Sequence, residues 1–176
     1  MAPTLDPSIE QPLRSTPLLA GLDRAAQDSL LWRFRSLPFE SGDVLIRAGD
    51  RNSDLFLLLE GFADVYARAG DKRYLVAILD PGSVLGEVSF FDPSRPRTAD
   101  VVASSPGLAA LLPRAAYDEL IAEQHPAAES LERAVLQAVS LRMQYTNEAL
   151  AELLDTHKSG GLLDELMRMY QKEESP

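Results

Sequence analysis

The feature that most constrains this chain is the rhythm of its turn signals. Between Phe39 and Leu112, Ser41-Gly42-Asp43, Ala48-Gly49-Asp50, Glu60-Gly61, Ala69-Gly70-Asp71, Asp80-Pro81-Gly82 and Ser105-Pro106-Gly107 punctuate short runs rich in Val, Leu, Ile, Phe and Tyr. Turns this frequent leave no length for the helical crossovers that parallel strands need, so the strands must pair antiparallel. The region reads as a small antiparallel β-roll or jelly-roll barrel of roughly seven or eight strands. Helical patterns flank it on both sides, which makes the fold class α+β.

On the N-terminal side, residues 1–14 carry Pro3, Pro7 and Pro12 with little apolar periodicity and read as a flexible arm. Structure is expected from Ser15. Thr16-Pro17 opens a short turn, and Asp23 is placed to cap a helix in which Leu30, Leu31 and Phe34 recur at helical spacing until Pro38 ends it. Beyond Pro113 the pattern is helical again, first through Arg114–Gln124 and then in one long run from Pro126. There Leu131, Ala134, Val135, Ala138, Leu141, Tyr145 and Ala149 form a single apolar stripe. A small barrel is too short to bury all of it, so part of the stripe is expected to pair with its twin in a homodimer; packing across the barrel is the alternative. His157-Lys158-Ser159-Gly160-Gly161 breaks this pattern, and Leu162, Leu163, Leu166, Met167 and Tyr170 mark a short terminal helix over 162–172. The expected organisation is an arm (1–14), a β-roll with flanking helices (15–125), a long dimerisation helix (126–156), and a hinge with a short terminal helix (157–176).

Composition narrows the function. The 176 residues, 45% of them hydrophobic, suffice for one core. A net charge of -10 argues against a broad phosphate-binding surface and so against direct DNA binding. No cysteine is present, and the two histidines, His125 and His157, have no acid or nucleophile at a catalytic spacing. Neither a metal site nor a catalytic centre is therefore expected. The N-terminus lacks a secretory signal and no apolar run is long enough for a membrane span, so a cytoplasmic location with no membrane contact is the expectation.

One stretch is odd for a barrel: residues 80–102, Asp-Pro-Gly-Ser-Val-Leu-Gly-Glu-Val-Ser-Phe-Phe-Asp-Pro-Ser-Arg-Pro-Arg-Thr-Ala-Asp-Val-Val. Glu87 directly follows Gly86, and Arg97 comes just before an apolar strand expected to begin at Ala99. Backbone amides after a glycine can hold an anion, an arginine can grip it bidentately, and a carboxylate that would repel a bare phosphate can accept from hydroxyls. Those three together describe a sugar-phosphate pocket. An internal Glu87–Arg97 ion pair, with the glycines merely turning the chain, is the alternative.

The chain resembles the cyclic nucleotide-binding domain shared by the bacterial catabolite activator family, cyclic nucleotide-dependent kinases and cyclic nucleotide-gated channels. Residues 15–34 resemble that family's N-terminal helical segment, residues 42–66 its first strands, and residues 82–103 its phosphate-binding cassette, where Gly-Glu, a spacer and Arg-small-Ala appear without a gap. The resemblance implies that Arg97 binds the cyclic phosphate and Glu87 accepts from the ribose 2′-hydroxyl. Gly86, Val88, Thr98 and Ala99 would add backbone or hydroxyl contacts, and Val76 and Leu79 would line the apolar wall. The segment 142–150 resembles the part of the long helix that reads the base in the catabolite activator, which places Thr146 and Asn147 in that role. The implied function is a stand-alone sensor of cAMP, or else cGMP, with no further cofactor. It would change conformation on binding and signal to an effector protein, since only a short segment follows Gly160-Gly161 where the transcription factors carry a helix-turn-helix domain. A nucleotide-unresponsive scaffold and a cyclic dinucleotide sensor are the rival readings.

Overall fold

A computed structural model describes residues 7–70 and 72–156. The chain divides into two units, Met1–Ala138 and Val139–Pro176. The first holds every strand among the described residues. The described part of the second is the remainder of a long helix.

Eight strands occupy the expected region: β1 (Arg35–Phe39), β2 (Val44–Ile46), β3 (Leu55–Glu60), β4 (Ala63–Ala69), β5 (Lys72–Leu79), β6 (Val84–Leu85), β7 (Asp100–Ala103) and β8 (Gly107–Leu112). They form two four-stranded sheets in the orders β1-β8-β3-β6 and β2-β7-β4-β5, with antiparallel pairing throughout. Both sheets feed one core: Phe39, Phe56, Leu58, Leu85 and Ala109 come from the first, and Ile46, Ala63, Leu79, Val101 and Ala103 from the second. Each side chain of this kind taken out of water contributes about 1.5–3 kcal/mol when it is large. The fold is therefore the antiparallel β-roll that the turn rhythm predicts.

Helices flank the roll. These are α1 (Pro7–Arg14), α2 (Arg24–Leu31), α3 (Glu87–Phe91), α4 (Arg114–Ala122) and α5 (Pro126–Thr156), with a 3₁₀ turn at Pro17–Leu19. Asp23 caps α2 as its position suggests, accepting from the Ala26 N–H at 2.8 Å. The N-terminal expectation needs correcting: residues 7–14 are not a loose arm but a helix that buries Ile9 and Leu13 completely. Pro7 fits the first helical position, where no N–H is needed, and the Ile9/Leu13 pair at i, i+4 supplies the apolar anchor. Arg14 ties this helix to α2 through Asp28 at 2.5 Å.

Pro38 does not end a helix either. The α2 helix stops at Leu31, and Pro38 lies inside β1, opposite Leu108. That placement is allowed because β1 is the edge of its sheet, where a missing N–H costs no ladder bond.

The stripe along α5 behaves differently at its two ends. Ala127, Ala128, Leu131 and Val135 are buried in the first unit, and Ser130 lies 3.4 Å from the Leu18 and Ala20 carbonyls. Leu136, Leu141, Met143, Tyr145 and Leu150 are exposed. Among the described residues no helix is long and apolar enough to cross a membrane. The expected hinge and terminal helix, residues 157–176, lie outside the described residues.

Candidate functional site

The unusual segment builds its site around one buried arginine. Strand β6 ends at Gly86, whose φ of +80° turns the chain into α3. A side chain there is strained by the φ and displaces the arginine: a Cβ on Gly86 would lie 2.2 Å from Arg97 Nη1 and 3.1 Å from the Asp54 carbonyl oxygen. The arginine thus packs directly on the glycine backbone.

Helix α3 is only five residues long, so packing must hold it. Phe90 is fully buried and meets Tyr117 of α4 at 4.9 Å between ring centroids, while Phe91 stands edge-on to both rings. Arg114 donates to the Phe90 carbonyl and lies over the Tyr117 ring at 5.1 Å. Beyond α3, Asp92 closes a tight turn by accepting from Ser94 Oγ, Ser94 N and Arg95 Nε. The Ser94 hydroxyl is the main cause that holds the Asp92 carboxyl below its ordinary range. That turn delivers the chain to Arg97.

Arg97 is 5% exposed and makes four hydrogen bonds from its guanidinium. Nη1 donates to the Gly86 carbonyl at 2.9 Å and to Ser89 Oγ at 2.8 Å; Nη2 donates to Asn52 Oδ1 at 3.0 Å and to the Asp54 carbonyl at 2.6 Å. All four acceptors are uncharged, and none is Glu87. Burial pushes the guanidinium below its ordinary value, opposed by the charges of Asp54, Glu87 and Asp50 in that order. A buried cation held by neutral dipoles is stabilised further by any anion that reaches it. The Arg97 backbone is fixed too, since its N–H donates to Asp50 O and its carbonyl accepts from Gly49 N, both at 2.8 Å.

The remaining sequence-predicted residues fall in several places. Glu87 is half-buried in the first turn of α3, eleven residues of chain away from Thr98 but in the same segment; Val88 and Thr98 are exposed and Ala99 is half-buried. Leu79 is buried in the roll's core, whereas Val76 is 55% exposed at the bulge where β5 slips against β4. Thr146 and Asn147 are exposed residues of the second unit, and the Thr146 hydroxyl donates to the Arg142 carbonyl at 2.9 Å.

Sequence reasoning placed Gly86 beside Arg97 and missed its other three partners, Asn52, Asp54 and Ser89. Asn52 and Asp54 belong to a polar run just before the apolar strand β3, where Asp54 N donates to Asn52 Oδ1 at 2.8 Å to make a side-chain turn. Asp54 Oδ1 also accepts from Arg114 N at 3.0 Å, which ties the Arg97 anchor to the start of α4. The signal that could have found them was this Asn-x-Asp spacing. Ser89 gave no signal beyond being polar in an apolar helix.

Residues 36–124 match the family described as "Cyclic nucleotide-binding domain". The chain belongs to that family. It is 26% identical over 165 residues to a CRP-like cAMP-activated global transcriptional regulator of Mycobacterium tuberculosis, covering 93% of this chain and 71% of that protein. It is similar to the Thermus thermophilus catabolite activator protein at 28% identity and a TM-score of 0.62, over 78% of this chain and 63% of that one. A cyclic nucleotide-binding domain from Methylobacillus flagellatus shares the fold at a TM-score of 0.72 and 23% identity, covering 82% of this chain and 81% of its own. The matched range includes residues 82–103, and with them Gly86, Glu87 and Arg97.

Proposed function

We propose that this cyclic nucleotide-binding domain senses cAMP, with cGMP as the second candidate, by seating the cyclic phosphate against Arg97. The observation that carries this reading is the buried Arg97 guanidinium, satisfied only by neutral oxygens and flanked by Gly86 and Glu87. An arriving phosphate exchanges neutral acceptors for an anionic one, which adds the attraction of a full opposite charge to the guanidinium. Glu87 accepts from the ribose 2′-hydroxyl, the amides of Gly86, Val88 and Ala99 and the Thr98 hydroxyl complete the phosphate contacts, Val76 and Leu79 supply apolar wall, and Thr146 and Asn147 read the base. On this reading the site binds and does not transform: its groups are an arginine, a carboxylate, the Thr98 hydroxyl and backbone amides, and none of them is assigned to attack phosphorus.

Binding acts by population shift. A ligand with different affinity for two arrangements of the cassette draws the protein toward the one it prefers. The aromatic contacts of Phe90 and Phe91 with Tyr117, and the 2.5 Å bond from the Tyr117 hydroxyl to Glu132 of α5, join the cassette helix to the base of the long helix. The exposed apolar residues Leu136, Leu141, Met143 and Tyr145 support homodimerisation along α5, and the net charge of -10 supports an effector that is a protein rather than DNA.

Calorimetric titration of cAMP, cGMP and cyclic di-GMP into the wild-type chain tests the proposal. Saturable binding of cAMP, or of cGMP in its place, is the expected result. Binding of cyclic di-GMP alone makes the chain a dinucleotide sensor, and binding of none makes it a scaffold on the same fold; either outcome sinks the reading.

A further inference from the structure

Three residues beyond Arg97 stands a second buried charge that the ligand site does not use. Asp100 opens β7 and is 4% exposed. Its Oδ1 accepts from Ala48 N at 2.8 Å, and its Oδ2 accepts from Arg68 Nη2 at 2.8 Å and Arg68 Nε at 3.1 Å, with Arg73 Nε at 3.9 Å. Arg68 and Arg73 face each other directly across β4 and β5. Like charges in that position repel, and one carboxylate on the neighbouring strand relieves them. Arg73 also stacks on Tyr66, 3.7 Å from its ring centroid, and Tyr66 is the cross-strand neighbour of Asp100.

The bond to Ala48 is the informative one. Ala48 immediately precedes Gly49 and Asp50, the two residues whose backbone groups clasp the backbone of Arg97 on both sides. The carboxylate therefore fixes the turn that brackets the arginine while it gathers the β4–β5 hairpin onto the same point. Its two anchors are one turn and one hairpin, both of which precede the arginine loop in sequence.

We infer that Asp100 is a positioning residue of the anion site, holding the 48–50 turn so that the Arg97 backbone is fixed before any ligand arrives. The inference rests on the reading of Arg97 as the phosphate-binding residue. Asp100 touches no ligand; it acts through Ala48 and Arg97. The lowered carboxyl of Asp100, whose largest cause is the Ala48 N–H bond, agrees with an ionised group serving that amide. Fixing a binding group beforehand removes an ordering cost from association.

The test compares wild type, Asp100→Ala, Asp100→Asn and Arg68→Ala by cAMP affinity and by hydrogen exchange of the Ala48, Gly49 and Arg97 amides. Asparagine keeps an acceptor for Ala48 N–H and loses the charge, so it separates positioning from ion pairing and guards against an alanine variant that fails to fold. Asp100→Ala is expected to weaken cAMP about tenfold, the loss of one bond to a charged acceptor. Asp100→Asn should recover most of that affinity, Arg68→Ala should stay within about twofold, and exchange should accelerate at Ala48, Gly49 and Arg97 while core amides of β3 and β8 stay protected. The inference is overturned if folded Asp100→Asn and Asp100→Ala both bind as wild type does, or if Asn rescues nothing. Should wild type itself bind no cyclic nucleotide, the reading of the site falls, and unchanged exchange at the three amides in Asp100→Asn and Asp100→Ala would then overturn the role of Asp100 as well.

Discussion

Arg97 and Asp100 are the two charged side chains buried among the described residues, three positions apart, and the molecule treats them in opposite ways. Asp100 is answered by two arginines and a backbone amide. Arg97 is answered by a serine hydroxyl, an asparagine carbonyl and two backbone carbonyls. A neutralised buried charge is a structural pin, because breaking it leaves an uncompensated ion. A buried charge hydrogen-bonded only to neutral acceptors is what the proposed anion site uses. On the proposed reading, the contrast sets the residue that meets the anion three positions from the residue that positions it.

The strongest way to break that contrast is at Gly86. Gly86→Ala forces a Cβ onto the Arg97 guanidinium in a backbone conformation that L-residues avoid. Displacement of Arg97 should abolish detectable cAMP binding in calorimetry, with a stability loss of about 1–3 kcal/mol in chemical denaturation. Next comes the pin: Asp100→Ala orphans the Ala48 amide and leaves Arg68 and Arg73 facing each other. Denaturant unfolding should show a loss of about 2–3 kcal/mol, toward the low end for a buried pair because both arginines are half-exposed. Ser89→Ala removes one neutral acceptor while Gly86 O still receives Nη1, so about 1 kcal/mol is expected from the same measurement. Arg68→Ala, which deletes an exposed partner, should cost below about 1 kcal/mol.

The smallest effect is a pH dependence that sharpens the comparison. The folded Asp100 carboxyl titrates below the ordinary 3.8, so its contribution is fully present above that value and is lost as pH falls through the folded one. Asp28 and Asp92 are lowered as well and add to the same acid limb. Denaturation midpoints measured from pH 5 down to pH 2 should therefore fall less steeply in Asp100→Asn than in wild type.

The two charges were also unequally legible. Arg97 stood out because an arginine at a strand entrance, a Gly-Glu step and a spacer make a local pattern. Asp100, one letter of the strand Asp-Val-Val-Ala, shows its meaning only when β4, β5 and the 48–50 turn come together, and those contacts span 32 and 52 residues of sequence. The same division runs through the fold. Turn spacing gave the eight strands, since each turn is chosen locally by Gly, Asp and Pro. Helix α1 escaped because its stability comes from burying only Ile9 and Leu13 against distant residues, and Pro12 argued locally against it. Pro38 misled for a related reason: whether proline stops an element depends on edge position, which one strand alone does not encode.

The measurement that bears most directly on the central claim is the calorimetric affinity of cAMP for wild type set beside Arg97→Ala. Wild type should bind saturably, and the alanine variant should lose about 2–4 kcal/mol, on the order of thirtyfold to a thousandfold in affinity. Equal binding by the two proteins, with both folded, would contradict the account.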